Sequence, residues 1–181
     1  MRRRTLLLSP AAALTWSTAA AQSPREVSSQ LRALALNTTP ESLRLDPVSF
    51  QTQAYGAVVD VSRNDGESMT IVCFAEGSTS VYFSSGGGLV GLGSDPKVRS
   101  ACRGLLAAVT ERLKDAKPEV ATELPTAGNV TVHGLFASGR RRITDREQSL
   151  AIGTSPYYET YKHARAVLSA VQTAQAAGRQ R

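Results

Sequence analysis

Gly86, Gly88 and Gly91 stand at the spacing of a dinucleotide-binding fingerprint, within the run Gly86-Gly87-Gly88-Leu89-Val90-Gly91-Leu92-Gly93. That chemistry requires a helix to start inside the glycines, so that its free amides and positive end meet a pyrophosphate. Here the helix-start signal, Ser94-Asp95-Pro96, falls after the last glycine, and residues 98–114 keep a helical pattern where a second strand ending in an acid should follow. No lysine follows the glycines as a Walker-type loop needs. The first reading of the run is therefore a crossover from a sheet edge to a helix, with Leu89, Val90 and Leu92 covering the sheet. The alternative is an exposed apolar lip that a ligand or partner fills, with Gly86, Gly87, Gly88, Leu89, Val90 and Gly91 as the binding residues. Tyr158 is a further candidate for partner contact, because Tyr157 and Tyr161 fall on the inward stripe of the last helix while Tyr158 faces out.

Other chemistry is thinly represented. The only histidines are His133 and His163, and no Gly-x-Ser-x-Gly elbow occurs. His133 alternates with Val130, Val132 and Phe136 and points to the opposite sheet face, where a surface or hydrogen-bonded histidine is expected. Asp60, Asp65 and Glu67 surround one hairpin; turn chemistry accounts for Asp65 and solvation for the other two. Cys73 lies in an apolar strand and Cys102 on the apolar stripe of the following helix, so both point into one interface, either as a disulfide or as two buried thiols. Two cysteines without local spacing, and histidines far from them, offer no zinc site. No catalytic residue, metal or cofactor is implied.

The N-terminus sets the compartment. Arg2, Arg3 and Arg4 precede a short apolar run to Trp16, and Ala19-Ala20-Ala21 supplies the small residues of a cleavage site. The run is too short to span a bilayer, which takes about twenty apolar residues. Residues 1–21 are thus expected to be a signal peptide, residues 22–171 one domain and residues 172–181 a flexible tail, with periplasmic or secreted localisation and no membrane attachment after signal removal. A false start upstream of a cytoplasmic protein is the alternative.

The 181-residue chain has 21 Lys+Arg against 15 Asp+Glu; without the three signal arginines the balance is 18 against 15, a surplus of +3. A surplus that small and dispersed argues against nucleic acid. Its densest point, Arg140-Arg141-Arg142, fits a solvated hairpin edge guarded by charge, with the outer two arginines on one face.

Ser23-Pro24-Arg25-Glu26 has the form of a capping box and predicts a helix over about 24–36, with Val27, Leu31 and Leu34 repeating on one side. Strand patterns follow at Tyr55–Val61, Met69–Ala75 and Thr79–Ser84, joined by short turns and therefore antiparallel. Val98, Cys102, Leu105, Leu106, Val109 and Leu113 then mark one face of a helix. A hairpin over Val130–Ala137 and Arg140–Thr144 leads to a helix opened by Thr154-Ser155-Pro156. The expected fold class is α+β, a five-stranded antiparallel sheet packed with two or three helices. Its element order resembles the roadblock, longin and profilin-like group, which implies a shape and no activity. Leu31-Arg32-Ala33, Asn37-Thr38-Thr39-Pro40, Gly56-Ala57-Val58-Val59 and Val81-Tyr82-Phe83-Ser84-Ser85-Gly86-Gly87-Gly88 are similar to a family of uncharacterised bacterial proteins, a likeness that implies no function. A binding role, for an unknown protein partner or a second copy, ranks above catalysis. The runner-up is a nucleotide or ligand binder, or an enzyme, using Gly86–Gly93.

Overall fold

The computed structural model describes residues 22–178. The predicted signal peptide, residues 1–21, lies outside the described residues. Ser23 caps α1 (Pro24–Leu36): its hydroxyl accepts from the Glu26 N–H, and the Glu26 carboxylate accepts from the Ser23 N–H at 2.6 Å. β1 (Gly56–Ser62), β2 (Ser68–Phe74) and β3 (Thr79–Phe83) form the antiparallel meander. The glycine run then adds β4 (Gly88–Leu89) and a 3-10 turn before α2 (Pro96–Leu113). β5 (Asn129–Phe136) and β6 (Gly139–Arg146) make the second hairpin, followed by α3 (Glu147–Ala151) and α4 (Tyr158–Gly178).

Among the described residues the result is α+β with one antiparallel sheet in the order β4-β3-β2-β1-β5-β6 and four α-helices. The expected five strands become six, because positive φ at Gly86 and Gly87 folds the chain back so that Gly88 and Leu89 pair with Tyr82 and Val81. The fourth helix is the short α3, which no cap or apolar stripe announces. α4 also runs on through Gly178, and Ala174 still packs against the core, so the stretch expected as a tail is helical to that point.

Period-two alternation divides the sheet into two buried faces. Ala57, Val59, Val61, Ile71, Cys73, Val81, Val130 and Val132 meet α2 and α4 in the larger core, and all six predicted stripe residues of α2 are buried there. Val58, Val72, Phe74 and Leu135 pack with Tyr55, Ala35 and Leu36 in a smaller core under α1. Every residue of β1 is buried, which is expected of a central strand covered on both sides.

Two glycines of the crossover are required by packing: a Cβ on Gly88 would lie 2.8 Å from the Val81 carbonyl oxygen, and one on Gly93 would collide with the Gly77 carbonyl oxygen in the β2–β3 turn. At Gly87 a Cβ meets nothing within 4 Å, although φ is +80°. Gly93→Ala should therefore destabilise by about 2–3 kcal/mol through overpacking, against about 1 kcal/mol for Gly87→Ala from its left-handed backbone. Urea unfolding of the two variants checks the order.

Candidate functional site

The smaller core contains a buried charge pair. Asp60, in the middle of β1, is fully buried on the α1 side and accepts from Arg32 Nε at 2.9 Å and Arg32 Nη2 at 2.7 Å. Thr70 Oγ1, opposite Asp60 on β2, donates at 2.7 Å. His133 Nε2 lies 3.5 Å from the same carboxylate and 3.5 Å from Arg32 Nη2, while its Nδ1 is buried without a partner. Burial pushes the Asp60 carboxyl up, but hydrogen bonds from His133, Arg32 and Thr70 and the Arg32 charge outweigh it and hold the group below the usual carboxylate range. Burial lowers His133, with the Arg32 and Arg140 charges adding to the effect, so the ring is neutral at pH 7.

This pair decides how α1 docks. Arg32, Ala35 and Leu36 face the sheet, whereas Val27 is 40 % exposed and Leu34 68 % exposed. The expected apolar stripe is therefore turned partly outward, because a guanidinium bound bidentately to a buried carboxylate sets the helix rotation. Arg32 Nη1 also donates to the Thr122 carbonyl at 2.6 Å, fastening the segment between α2 and β5 over the sheet. Arg140 and Arg142 share the α1 face, as expected, but neither is a solvated guard. Arg140 donates to the carbonyls of Leu36 and Val120, and Arg142 pairs with Glu119 at 3.3 Å. On the other face, Arg141 is buried with its guanidinium 4.2 Å above the Phe136 ring.

A cleft of about 680 Å³ opens on the α2–α4 side, between the β1–β2 hairpin and the later half of α4. Val61, Met69, Phe83 and Leu168 give it an apolar floor; Arg63, Asp65, Glu67 and Glu147 stand around the mouth. Arg63 and Asp65 pair at 3.2 Å, which leaves Glu67 and Glu147 as the excess charge. Glu147 accepts from the Tyr161 hydroxyl at 2.8 Å, and burial together with this contact pushes the phenol up to about 12, so it stays a donor. Glu147 and Asn64 also border a more polar hollow of about 510 Å³ alongside. The volume and the combination of greasy floor and few polar groups suit a small ligand.

None of Gly86, Gly87, Gly88, Leu89, Val90 and Gly91 borders this cleft. Leu89 and Leu92 pack against the core as cover, and only Val90, 64 % exposed, stands out as a lip. At the start of α2 the amides of Lys97 and Val98 already donate to Asp95 Oδ1, at 2.8 and 3.2 Å. Tyr158 sits apart, beside a hollow of about 290 Å³ with Tyr161 and Arg165, its ring 5.9 Å from the Lys162 ammonium. His163 lies over Gly104, where a Cβ would come within 2.9 Å of Nδ1, so it packs between α2 and α4.

Cys73 and Cys102 are free buried thiols that face each other between β2 and α2; the Cys102 thiol and burial push Cys73 up. Among the described residues no group of three or more His, Cys, Asp or Glu could hold a metal ion, and no helix is long and apolar enough to cross a membrane.

No family model, curated protein or solved structure matches the chain. The geometry is thus the only guide to the site, and it points to residues the sequence leaves unmarked. Asp60 reads as solvated because Asp65 and Glu67 lie near it in the chain. The available signal was an acid inside the otherwise uncharged strand Gly56–Ser62.

Proposed function

We propose that this chain is an exported, non-enzymatic binding module whose ligand occupies the cleft between the β1–β2 hairpin and α4. The observation that carries the proposal is the apolar floor of Val61, Met69, Phe83 and Leu168 beneath an acidic mouth. A ligand with an apolar body and a positive head complements both, whether it is a small organic amine or a lysine-bearing segment of a partner or second copy. The groups best suited to proton transfer, Asp60 and His133, are sealed in the interior around Arg32, which favours binding over catalysis. The Asp95 cap on α2 weighs against the alternative of a nucleotide on Gly86–Gly93. Export is supported by residues 1–21, and the facing Cys73 and Cys102 suit a compartment in which a bridge can close. The roadblock/longin/profilin-like shape is likewise an inference, supported by an antiparallel sheet with helices on both faces.

The test is a thermal-shift titration with octylamine, octanoate and octanol, on the protein and on Leu168→Arg. Octylamine at about a hundredfold excess over its Kd should raise Tm by about 5–10 °C. Octanoate should be weaker, and Leu168→Arg should abolish the shift. A flat response to all three, or an equal response in the variant, removes the reading.

A further inference from the structure

The first half of α1 meets the sheet through donors instead of apolar side chains. Arg25, Ser28, Ser29 and Arg32 recur at i, i+3, i+4 and i+7, so they form one stripe, and all four line a hollow of about 260 Å³ against Ser68, Thr70 and Ser84. Pro24 sits against Gly86, where a Cβ would lie 3.1 Å from it, which fixes the stripe beside the β3–β4 turn. An interface between a helix and a sheet is ordinarily apolar. Here none of the lining residues is an acid.

Some of these donors are occupied within the protein. Ser28 donates to the Arg25 carbonyl and Thr70 to Asp60. Arg32 carries five N–H groups, of which three are taken by Asp60 and Thr122 and a fourth faces His133 at 3.5 Å, leaving one on Nη1. Ser84 accepts from the Ser68 N–H at 2.8 Å, so its own proton is free to donate. Ser29 and Ser68 add two more hydroxyls. Asp60 shares the charge of Arg32, which makes the exposed Arg25 the source of net positive charge at the mouth.

We propose that this hollow binds a phosphoryl oxyanion, with Arg25 and the ion-paired Arg32 on one side and the hydroxyls of Ser29, Ser68 and Ser84 around it. A set of donors this large exceeds what the two oxygens of a carboxylate can accept and matches three or four tetrahedral oxygens. Arg32 is held in place in advance by Asp60, so little side-chain entropy is lost when the anion arrives. The site lies on the α1 face, across the sheet from the cleft proposed above, and shares only Ser68 with its lining.

Calorimetric titration of the full chain with inorganic phosphate, glycerol 3-phosphate and acetate at matched ionic strength tests this, on the protein, Arg25→Ala and Ser29→Ala. Both phosphoryl ligands should bind, and acetate should bind at least about tenfold more weakly. Arg25→Ala should weaken phosphoryl binding by about tenfold or more, since it removes a charge-assisted hydrogen bond. Tighter binding of the ester assigns an esterified phosphate as the ligand, whereas equal binding assigns the free anion. Absence of phosphoryl binding, acetate binding as tight as phosphate, or unchanged affinity in both variants overturns the proposal.

Discussion

Asp60→Ala is expected to destabilise the protein by about 3–5 kcal/mol, measured as a lower urea midpoint, because it leaves the Arg32 guanidinium buried without its counter-charge. The two Arg32 contacts at 2.7 and 2.9 Å and the Thr70 hydroxyl at 2.7 Å all converge on this carboxylate. Its loss also frees α1 to rotate, since the apolar stripe of that helix is not what seats it. Arg32→Ala should cost a similar amount by orphaning a fully buried carboxylate. Replacing the pair together, as Arg32→Met with Asp60→Leu, should recover most of the loss, since well-packed apolar groups of similar volume commonly substitute for a buried ion pair. A loss below about 1 kcal/mol for Asp60→Ala would show that Arg32 swings out to solvent and that the pair does not hold the helix.

Stability should also fall in two stages as the solution is acidified. His133 is held below its ordinary 6.5 by burial, so the unfolded chain takes up a proton below that pH while the folded chain resists. The neutral ring therefore contributes stability that is complete above about pH 6.5 and declines as pH drops through the folded value. Asp60 is held below its ordinary 3.8, and by the same linkage its contribution is intact above about pH 4 and lost on further acidification. Both groups act in the same direction, and the urea midpoint measured from pH 8 to pH 3 should be level at first, then decline, then drop more steeply. His133→Leu should flatten the upper stage and also shrink the lower one, because the His133 hydrogen bond is among the contacts that hold Asp60 down. A midpoint independent of pH between 7 and 5 in the unmodified protein would contradict the buried neutral histidine.

The parts of this fold that show in the sequence are those governed by local rules. The capping box at Ser23 and Glu26 forms as expected, and the α2 stripe from Val98 to Leu113 is buried throughout because one helix face meets one apolar sheet face. α1 departs from its own periodicity because a single long-range charge pair outweighs the burial of Val27 and Leu34. No periodicity reveals that Arg32 will meet Asp60 on a strand assembled later in the chain. β4 is similarly hidden: two residues become a strand only because Val81 and Tyr82 are there to pair with them. The glycine run draws the eye as a nucleotide motif, yet Gly93 answers to the Gly77 carbonyl. The stripe Arg25-Ser28-Ser29-Arg32 was readable at helical spacing, but its meaning depends on the serines and threonine that the sheet places opposite.

The most direct measurement of how α1 is held is a double-mutant cycle on Arg32 and Asp60, with both alanine variants and their combination followed by urea unfolding at pH 7. A coupling of at least about 2 kcal/mol is predicted for charges in direct, buried contact. Losses that add to within about 0.5 kcal/mol would show that the two side chains do not act as a pair, and would contradict the docking of α1 described above.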